Sequence, residues 1–340
     1  MELMKRITRD VSDGILVLDV HGNVTFINPA AEKLLALKLK VGDKYAAVML
    51  GDGSRENDSF HQLLLDAVYD KEQLHREEIV YTCPNGEKRV FRLSGSFLFG
   101  EDGVTREGVV ISFSDITEES KYREKMRDSA LIFILTVTMM AVCVFAYAIW
   151  DVLGRRISGS ALAKILELCG FAACAFAVRF TGITFADMGL QIKGAGRYIL
   201  KDGIFTAVIL AAAVAVKFFG RMWLPGIFPP ENPFFYWNTA NFSDYFYPVT
   251  VVAQEFLTRG IMHESIRRII PGKHSNEIAI ITSSLFFGVV HIQLGLPYMF
   301  GSFLLLGVFG IIYTKQKTIW GLCIPHFFLG EMLKFLFGFY

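Results

Sequence analysis

The sequence predicts a soluble α+β domain followed by an all-α polytopic bundle of about seven membrane helices. Three observations carry that reading. Charge is unevenly divided: residues 1–129 hold 18 Lys and Arg against 23 Asp and Glu, net −5, while residues 130–340 hold 16 against 10, net +6. The first part alternates β-rich runs with turn residues. The second consists of long apolar runs with most charges at their ends. With 340 residues, 53% of them apolar, the chain is long enough for two domains. The expected extents are 1–117 for the soluble domain, 118–129 for a helical linker and 130–340 for the membrane domain.

In the first domain, Ile15–Leu18 and Val24–Ile27 flank the turn His21-Gly22-Asn23, which predicts a hairpin. Asn28-Pro29 supplies an N-cap and a first-turn proline for a short helix through Leu35. Phe60, Leu63, Leu64 and Val68 recur at helical spacing and predict a second helix over Ser59–Tyr69. Three strands follow, at about Glu77–Thr82, Arg89–Phe97 and Gly108–Phe113, separated by Cys83-Pro84-Asn85-Gly86 and Glu101-Asp102-Gly103. Two strands, short helices and three strands give one antiparallel sheet with helices on one face.

Met1 to Asp13 is too polar for a secretory signal peptide. No basic face points to nucleic acid. Cys83, Cys143, Cys169, Cys174 and Cys323 are scattered without a CxxC pair, so they read as packing residues.

The run Asp13-Gly14-Ile15-Leu16-Val17-Leu18-Asp19, the run Gly22-Asn23-Val24-Thr25-Phe26-Ile27-Asn28-Pro29-Ala30-Ala31 and the closing Asp115-Ile116-Thr117 resemble a PAS domain over about Met4 to Thr117. The resemblance implies a sensor that binds a small molecule or dimerises, so a PAS-mediated homodimer is expected and the ligand is unknown. His61 lies on the helix where haem-binding PAS domains carry their axial ligand, which makes it a candidate haem ligand beside its reading as an ordinary core or surface histidine. Glu118–Ser129 is a charged helical segment that runs into apolar Ala130. It spans roughly 18 Å at 1.5 Å per residue. It reads either as a mechanical coupling to the first span or as a spacer.

Hydropathy places seven spans at about Ala130–Trp150, Ala161–Phe180, Ile199–Phe219, Tyr247–Ile269, Ile278–Ile292, Pro297–Tyr313 and Ile319–Phe337. The second is interrupted by Lys164 and Glu167, and the fifth is short. Arg221–Phe246, rich in aromatic residues, reads as interfacial. With the N-terminal domain in the cytoplasm, the inside segments hold Lys121, Arg123, Lys125, Arg127, Lys193, Arg197, Arg267, Arg268, Lys273, Lys315 and Lys317, and the outside loops hold only Arg155, Arg156 and Arg221. That eleven-to-three bias predicts a cytoplasmic N-terminus, and an odd span count puts Tyr340 outside.

Inside these apolar segments stand Glu255, Arg259, His291 and His326. An ionisable group at a helix centre costs about 2.5–3.5 kcal/mol on insertion scales, so such groups pair and mark functional sites. Glu255 and Arg259 are four apart and share a helix face. A carboxylate beside imidazoles can hold and deprotonate a water, and a second imidazole or an amide can stabilise an oxyanion. That is chemistry for peptide hydrolysis without a metal. An ion pair with two packing histidines is the plainer alternative, and Glu255, His291 and His326 would also suit zinc.

Gln254-Glu255-Phe256-Leu257-Thr258-Arg259-Gly260, then Phe287 to His291, then His326-Phe327-Phe328-Leu329-Gly330 resemble the CPBP family, which includes type II CAAX prenyl proteases and bacteriocin-processing relatives, over about Ile183 to Met332. Met188-Gly189-Leu190, Gly307 and Thr318-Ile319-Trp320 add to the resemblance. It implies a bundle of about eight helices and a glutamate-type intramembrane endopeptidase, with Glu255, Arg259, His291 and His326 in the site. Two positions depart from the family pattern. Gln254 replaces the first glutamate, to which the family assigns water activation. Gly330 replaces a terminal asparagine. Two readings follow: a PAS-regulated endopeptidase with a weakened site, or a silent pseudoprotease that binds a membrane peptide or partner and relays a PAS signal. A transporter-like polar path is a third. The site's place toward the outer half favours a membrane-embedded or exported peptide as substrate or partner. If the lost carboxylate weakens catalysis, Gln254→Glu raises proteolysis, Gly330→Asn adds to it, and Glu255 is the candidate replacement base.

Overall fold

A computed structural model describes residues 8, 10–37, 39–52, 55–69, 76–237, 242–292 and 295–338. Residues 1–7, within the expected first domain, and Tyr340, expected outside the membrane, lie outside the described residues. The chain divides into two compact units, Met1–Arg123 and Glu124–Tyr340.

The first unit holds β1 (Gly14–Asp19), β2 (Val24–Ile27), α1 (Pro29–Leu35), α2 (Tyr45–Asp52), α3 (Asp58–Tyr69), β3 (Glu77–Thr82), β4 (Lys88–Phe99) and β5 (Arg106–Asp115). The five strands form an antiparallel sheet in the order β2-β1-β5-β4-β3. Period-2 alternation buries one face: Leu16 and Leu18 of β1, Phe91 and Leu93 of β4, and Val109, Ile111 and Phe113 of β5 are buried. Phe60, Leu64 and Val68 of α3 close the core above them. The short helix α2 was not expected from the sequence.

Asn28 shows how the local sequence sets this architecture. Its Oδ1 accepts from Ala31 N at 2.9 Å and from Ile15 N at 2.9 Å, and its Nδ2 donates to Asp13 O at 2.9 Å. One buried side chain therefore caps α1 and ties it to the start of β1. Pro29 follows at the first helical position, where a missing N–H costs nothing.

The closing Asp115-Ile116-Thr117 is equally local. Asp115 Oδ1 accepts from Thr117 N at 3.0 Å, and Thr117 Oγ1 accepts from Val90 N at 3.0 Å. The next helix, α4 (Thr117–Val152), thus starts capped and fixed to β4. Ion pairs extend the hold. Arg92 reaches Glu119 at 2.8 Å and Glu78 at 3.1 Å, and Arg123 reaches Glu78 at 2.6 Å. The Arg123 hydrogen bond holds the Glu78 carboxyl below the usual carboxylate range. The boundary between the units falls inside α4, so the expected linker is part of a continuous helix.

The second unit continues with α5 (Gly159–Arg179), α6 (Ala195–Trp223), α7 (Tyr247–Glu255), a π-helical segment (Phe256–His263), α8 (Glu264–Ile269), α9 (Ser275–Val290), α10 (Leu296–Gln316) and α11 (Cys323–Phe337). Among the described residues, four helical stretches are long and apolar enough to cross a membrane: Thr117–Val152, Ala161–Arg179, Ala195–Trp223 and Leu296–Gln316. The chain is an integral membrane protein. The other three expected spans are helical without meeting that test. Tyr247–Ile269 is broken in three by the π segment, and α9 and α11, with 16 and 15 residues, are too short. Such helices reach about 24 and 22 Å against a hydrocarbon core of about 30 Å.

Leu131, Ile134, Val144 and Phe145 of α4, Leu200, Ile204 and Val208 of α6, and Leu304 and Val308 of α10 point outward and exposed, as a lipid-facing surface requires. Cys174, Val178, Met188, Phe256, Phe309, Tyr313 and Leu322 form the buried centre. Between α6 and α7, the Lys217 ammonium donates to the carbonyls of Pro233 (3.1 Å), Phe234 (2.8 Å) and Leu336, which folds the aromatic segment back onto the ends of α6 and α11.

Candidate active site

The site grows from the π segment. A π turn adds a residue to the helical ladder, re-aims the side chains that follow, and is frequent at functional sites. Here it begins immediately after Glu255. Gly260 inside it faces the Met188 carbonyl, and a Cβ would collide with that oxygen. The Arg-Gly pair therefore lets the Met188 loop close on the helix while Arg259 turns inward.

Glu255 and Arg259 are both 0% exposed. The Glu255 Oε1 atom lies 2.6 Å from His326 Nδ1 on α11. Its Oε2 lies 3.8 Å from Arg259 Nε, and neither of those two atoms has a hydrogen-bond partner among the described residues. The guanidinium is held elsewhere: Nη1 donates to Ser283 Oγ of α9 at 3.2 Å, and Nη2 donates to the Leu306 carbonyl of α10. Gly310, without a side chain, leaves room for Nη1. Arg259 thus joins α9 and α10 to the π segment and sets a positive charge under the Glu255 carboxylate.

The hydrogen bonds also fix both imidazoles. A carboxylate only accepts, so His326 Nδ1 carries the proton and Nε2 presents a lone pair. His291, which caps α9, has Nδ1 at 2.8 Å from the Phe287 carbonyl, so it takes the same tautomer. The Phe287 ring lies 4.5 Å from the His291 ring and 5.9 Å from that of His326. Glu255, Arg259 and His326 are therefore in direct contact, and His291 joins them through Phe287. Three donors converging on zinc is not the arrangement seen: among the described residues no group of three or more His, Cys, Asp or Glu is placed to hold a metal ion.

Glu255, the candidate replacement base, has its Oε1 against His326 and its Oε2 toward Arg259. Gly330 differs from a simple vacancy. A Cβ at 330 would collide with the Tyr247 hydroxyl. The phenol thus occupies the space into which an asparagine side chain would project, and adding that side chain overpacks the site.

Sequence reasoning missed three contributors. Ser283 is a buried partner of Arg259. Tyr247 reaches the Gly330 position from α7 and packs against His326, ring centroids 6.5 Å apart. Glu167 of α5, noticed only as an awkward charge, is hydrogen-bonded to the Gln254 side chain. Its signal was the face it shares with Lys164, Phe171 and Cys174 at helical spacing. A further polar group lies around Glu264, which pairs with Arg267 at 2.6 Å and Lys317 at 3.5 Å.

His61, the candidate haem ligand, lies buried in the core of the first unit. Its Nδ1 is 2.8 Å from the Tyr45 hydroxyl, and its ring meets Phe60 edge-on.

Comparison with known proteins agrees with this division. Residues 8–121 match the family model for the PAS fold. Residues 237–330 match the model described as type II CAAX prenyl endopeptidase Rce1-like. The chain therefore joins an N-terminal PAS domain to a region of the Rce1-like CAAX protease family. That region holds all of Gln254, Glu255, Arg259, His291, His326 and Gly330. Among solved structures, the chain is similar to the PAS domain of a protein from Colwellia psychrerythraea (22% identity, 35% of this chain and 99% of that chain, TM-score 0.26). It is also similar to the PAS domain from Bordetella pertussis BvgS (20% identity, 37% and 93%, TM-score 0.30). No curated protein matches the sequence.

Proposed function

We propose that this protein is a PAS-regulated intramembrane endopeptidase that cleaves a membrane-embedded or exported peptide without a metal. The observation that carries the reading is the buried 2.6 Å contact between Glu255 and His326. An imidazole whose Nδ1–H is tied to a carboxylate holds one tautomer and is primed to accept or share a proton at Nε2. Arg259 sets a guanidinium against the other carboxylate oxygen of Glu255, 3.8 Å away. His291, in the same tautomer, presents its Nε2 lone pair to a water proton, and the Tyr247 phenol is a donor beside His326 for a developing oxyanion.

The second reading, a silent pseudoprotease, rests on Gln254. An amide does not take a proton near neutral pH. A single experiment separates the two: purified protein in lipid vesicles is given a pool of transmembrane peptides. The endopeptidase reading expects cleavage that His291→Ala and His326→Ala remove, and the binder reading expects retention of peptide without cleavage.

Regulation belongs to the PAS domain, which we place in the cytoplasm on the loop-charge bias. A change in its ligand or in its homodimer would pass through the capped start of α4, where Thr117, Glu119 and Arg123 are held by β3 and β4. His61 is the position at which a haem would have to be held.

A further inference from the structure

We propose that Glu167 supplies the water-activating carboxylate that position 254 lacks, so that the catalytic acid of this site stands on α5 instead of α7. The inference rests on the endopeptidase reading and names a catalytic residue for it.

The geometry is a register between two helices. On α5, Lys164, Glu167, Phe171 and Cys174 follow one another at spacings of three and four, and so share a face. Lys164 Nζ lies 3.4 Å from Thr250 Oγ1 on α7. The Phe171 ring packs edge-on against Phe256, centroids 5.3 Å apart, at the start of the π segment. Contacts on both sides of Glu167 thus fix its height, and at that height the Gln254 side chain donates a hydrogen bond to its carboxylate. Glu167 is also within electrostatic reach of His326. The carboxylate therefore stands beside position 254, on the side of α5 that meets α7 and the π segment.

Helix packing alone does not call for a glutamate there. An uncharged glutamine or serine would hydrogen-bond Gln254 as well, without placing an ionisable group in a span. A carboxylate at such a position, beside an amide where the family pattern has a carboxylate, amounts to an exchange of place. The pair still consists of one acid and one hydrogen-bonding partner, with the acid now on the neighbouring helix. That arrangement also accounts for the retention of His291, Arg259 and His326 beside a substituted position 254.

The step balances as a hydrolysis. A water oxygen bonds to the peptide carbonyl carbon as the Glu167 carboxylate takes one water proton. The carbonyl π electrons move to its oxygen, to which the Tyr247 phenol beside His326 can donate. On collapse the C–N bond breaks, and the amine nitrogen receives the proton held by Glu167. The products are a carboxylic acid and an amine, and nothing is oxidised or reduced. Gln254 keeps the carboxylate aimed through its N–H.

The test uses the full-length protein in vesicles with the transmembrane peptide pool. Glu167→Gln is expected to lower turnover by about 100-fold or more, the scale for losing a general base. The exchange variant Glu167→Gln with Gln254→Glu keeps one acid and one amide in contact, and is expected to recover activity to within about tenfold. Recovery by exchange is a result that a purely structural role for Glu167 does not give, and it also controls for misfolding. Gln254→Glu alone sets two carboxylates against each other and is expected not to raise turnover. If wild type cleaves, His326→Ala does not, and Glu167→Gln cleaves at the wild-type rate, the endopeptidase reading stands and this proposal falls. If wild type is inert, both fall.

Discussion

His326 Nδ1 lies 2.6 Å from Glu255 Oε1, with the imidazole 5% and the carboxylate 0% exposed. The two residues come from helices far apart in sequence, and the carboxylate stands between this imidazole and the Arg259 guanidinium. Three charged or chargeable groups in series, sealed from solvent, define a tautomer and an orientation.

Glu255→Gln is expected to keep the shape and lose the charge. Turnover should fall by roughly 100-fold or more, because the imidazole loses its orienting anion. Glu255→Ala should also lower stability by about 3–5 kcal/mol, since it leaves Arg259 buried without a counter-charge. Peptide cleavage kinetics and thermal unfolding in detergent separate the two effects. Equal activity for Glu255→Gln and wild type would remove Glu255 from the mechanism.

Gly330→Asn is expected to harm the protein, contrary to what the family pattern alone suggests. The added side chain meets the Tyr247 hydroxyl, and overpacking of this kind costs about 1–3 kcal/mol. Combining it with Tyr247→Ala should relieve the collision. Melting temperatures of the single and double variants check this; a single variant as stable as wild type would mean that Tyr247 yields without cost.

Much of the first unit was legible because its signals are local. Alternation marks the strands, and Asn28-Pro29 marks a helix start whose side-chain bonds are all within reach of the same hairpin. The site was legible only as a set of residues. The π segment has no periodic signature of its own, so Thr258-Arg259-Gly260 reads as ordinary helix. Glu167 read as a blemish in a span because nothing local shows that α5 lies against Gln254. Tyr247 and Gly330 are distant in sequence, so the filling of one position by the other is a fact of packing alone.

The clamp at the start of α4 is expected to loosen with acid. The folded-state pKa of Glu78 is lowered by Arg123, so its contribution is present above the ordinary carboxylate range and lost as pH falls through the lowered value. Hydrogen exchange at residues 117–123, corrected for the intrinsic rate, should quicken on acidification. Glu78→Gln should exchange fast at neutral pH. An unchanged rate in that variant would leave the hold on the helix to Asp115, Thr117 and the Arg92–Glu119 pair.

Reporter fusions after Ser129 and after Tyr340 are expected to report opposite sides of the membrane, with the first cytoplasmic. Reports from one side would mean that an odd number of crossings is wrong, and the short α9 and α11 would be the helices to re-examine.

The central claim is that water cleaves a peptide bond at the Glu255–His326 site. The most direct measurement is mass spectrometry of the peptide pool after incubation with the vesicle-embedded protein in heavy-oxygen water. The account predicts new peptides whose fresh carboxyl terminus carries one heavy oxygen, and their absence with His326→Ala. Intact peptides with wild type, or labelled products undiminished by His326→Ala, would contradict it.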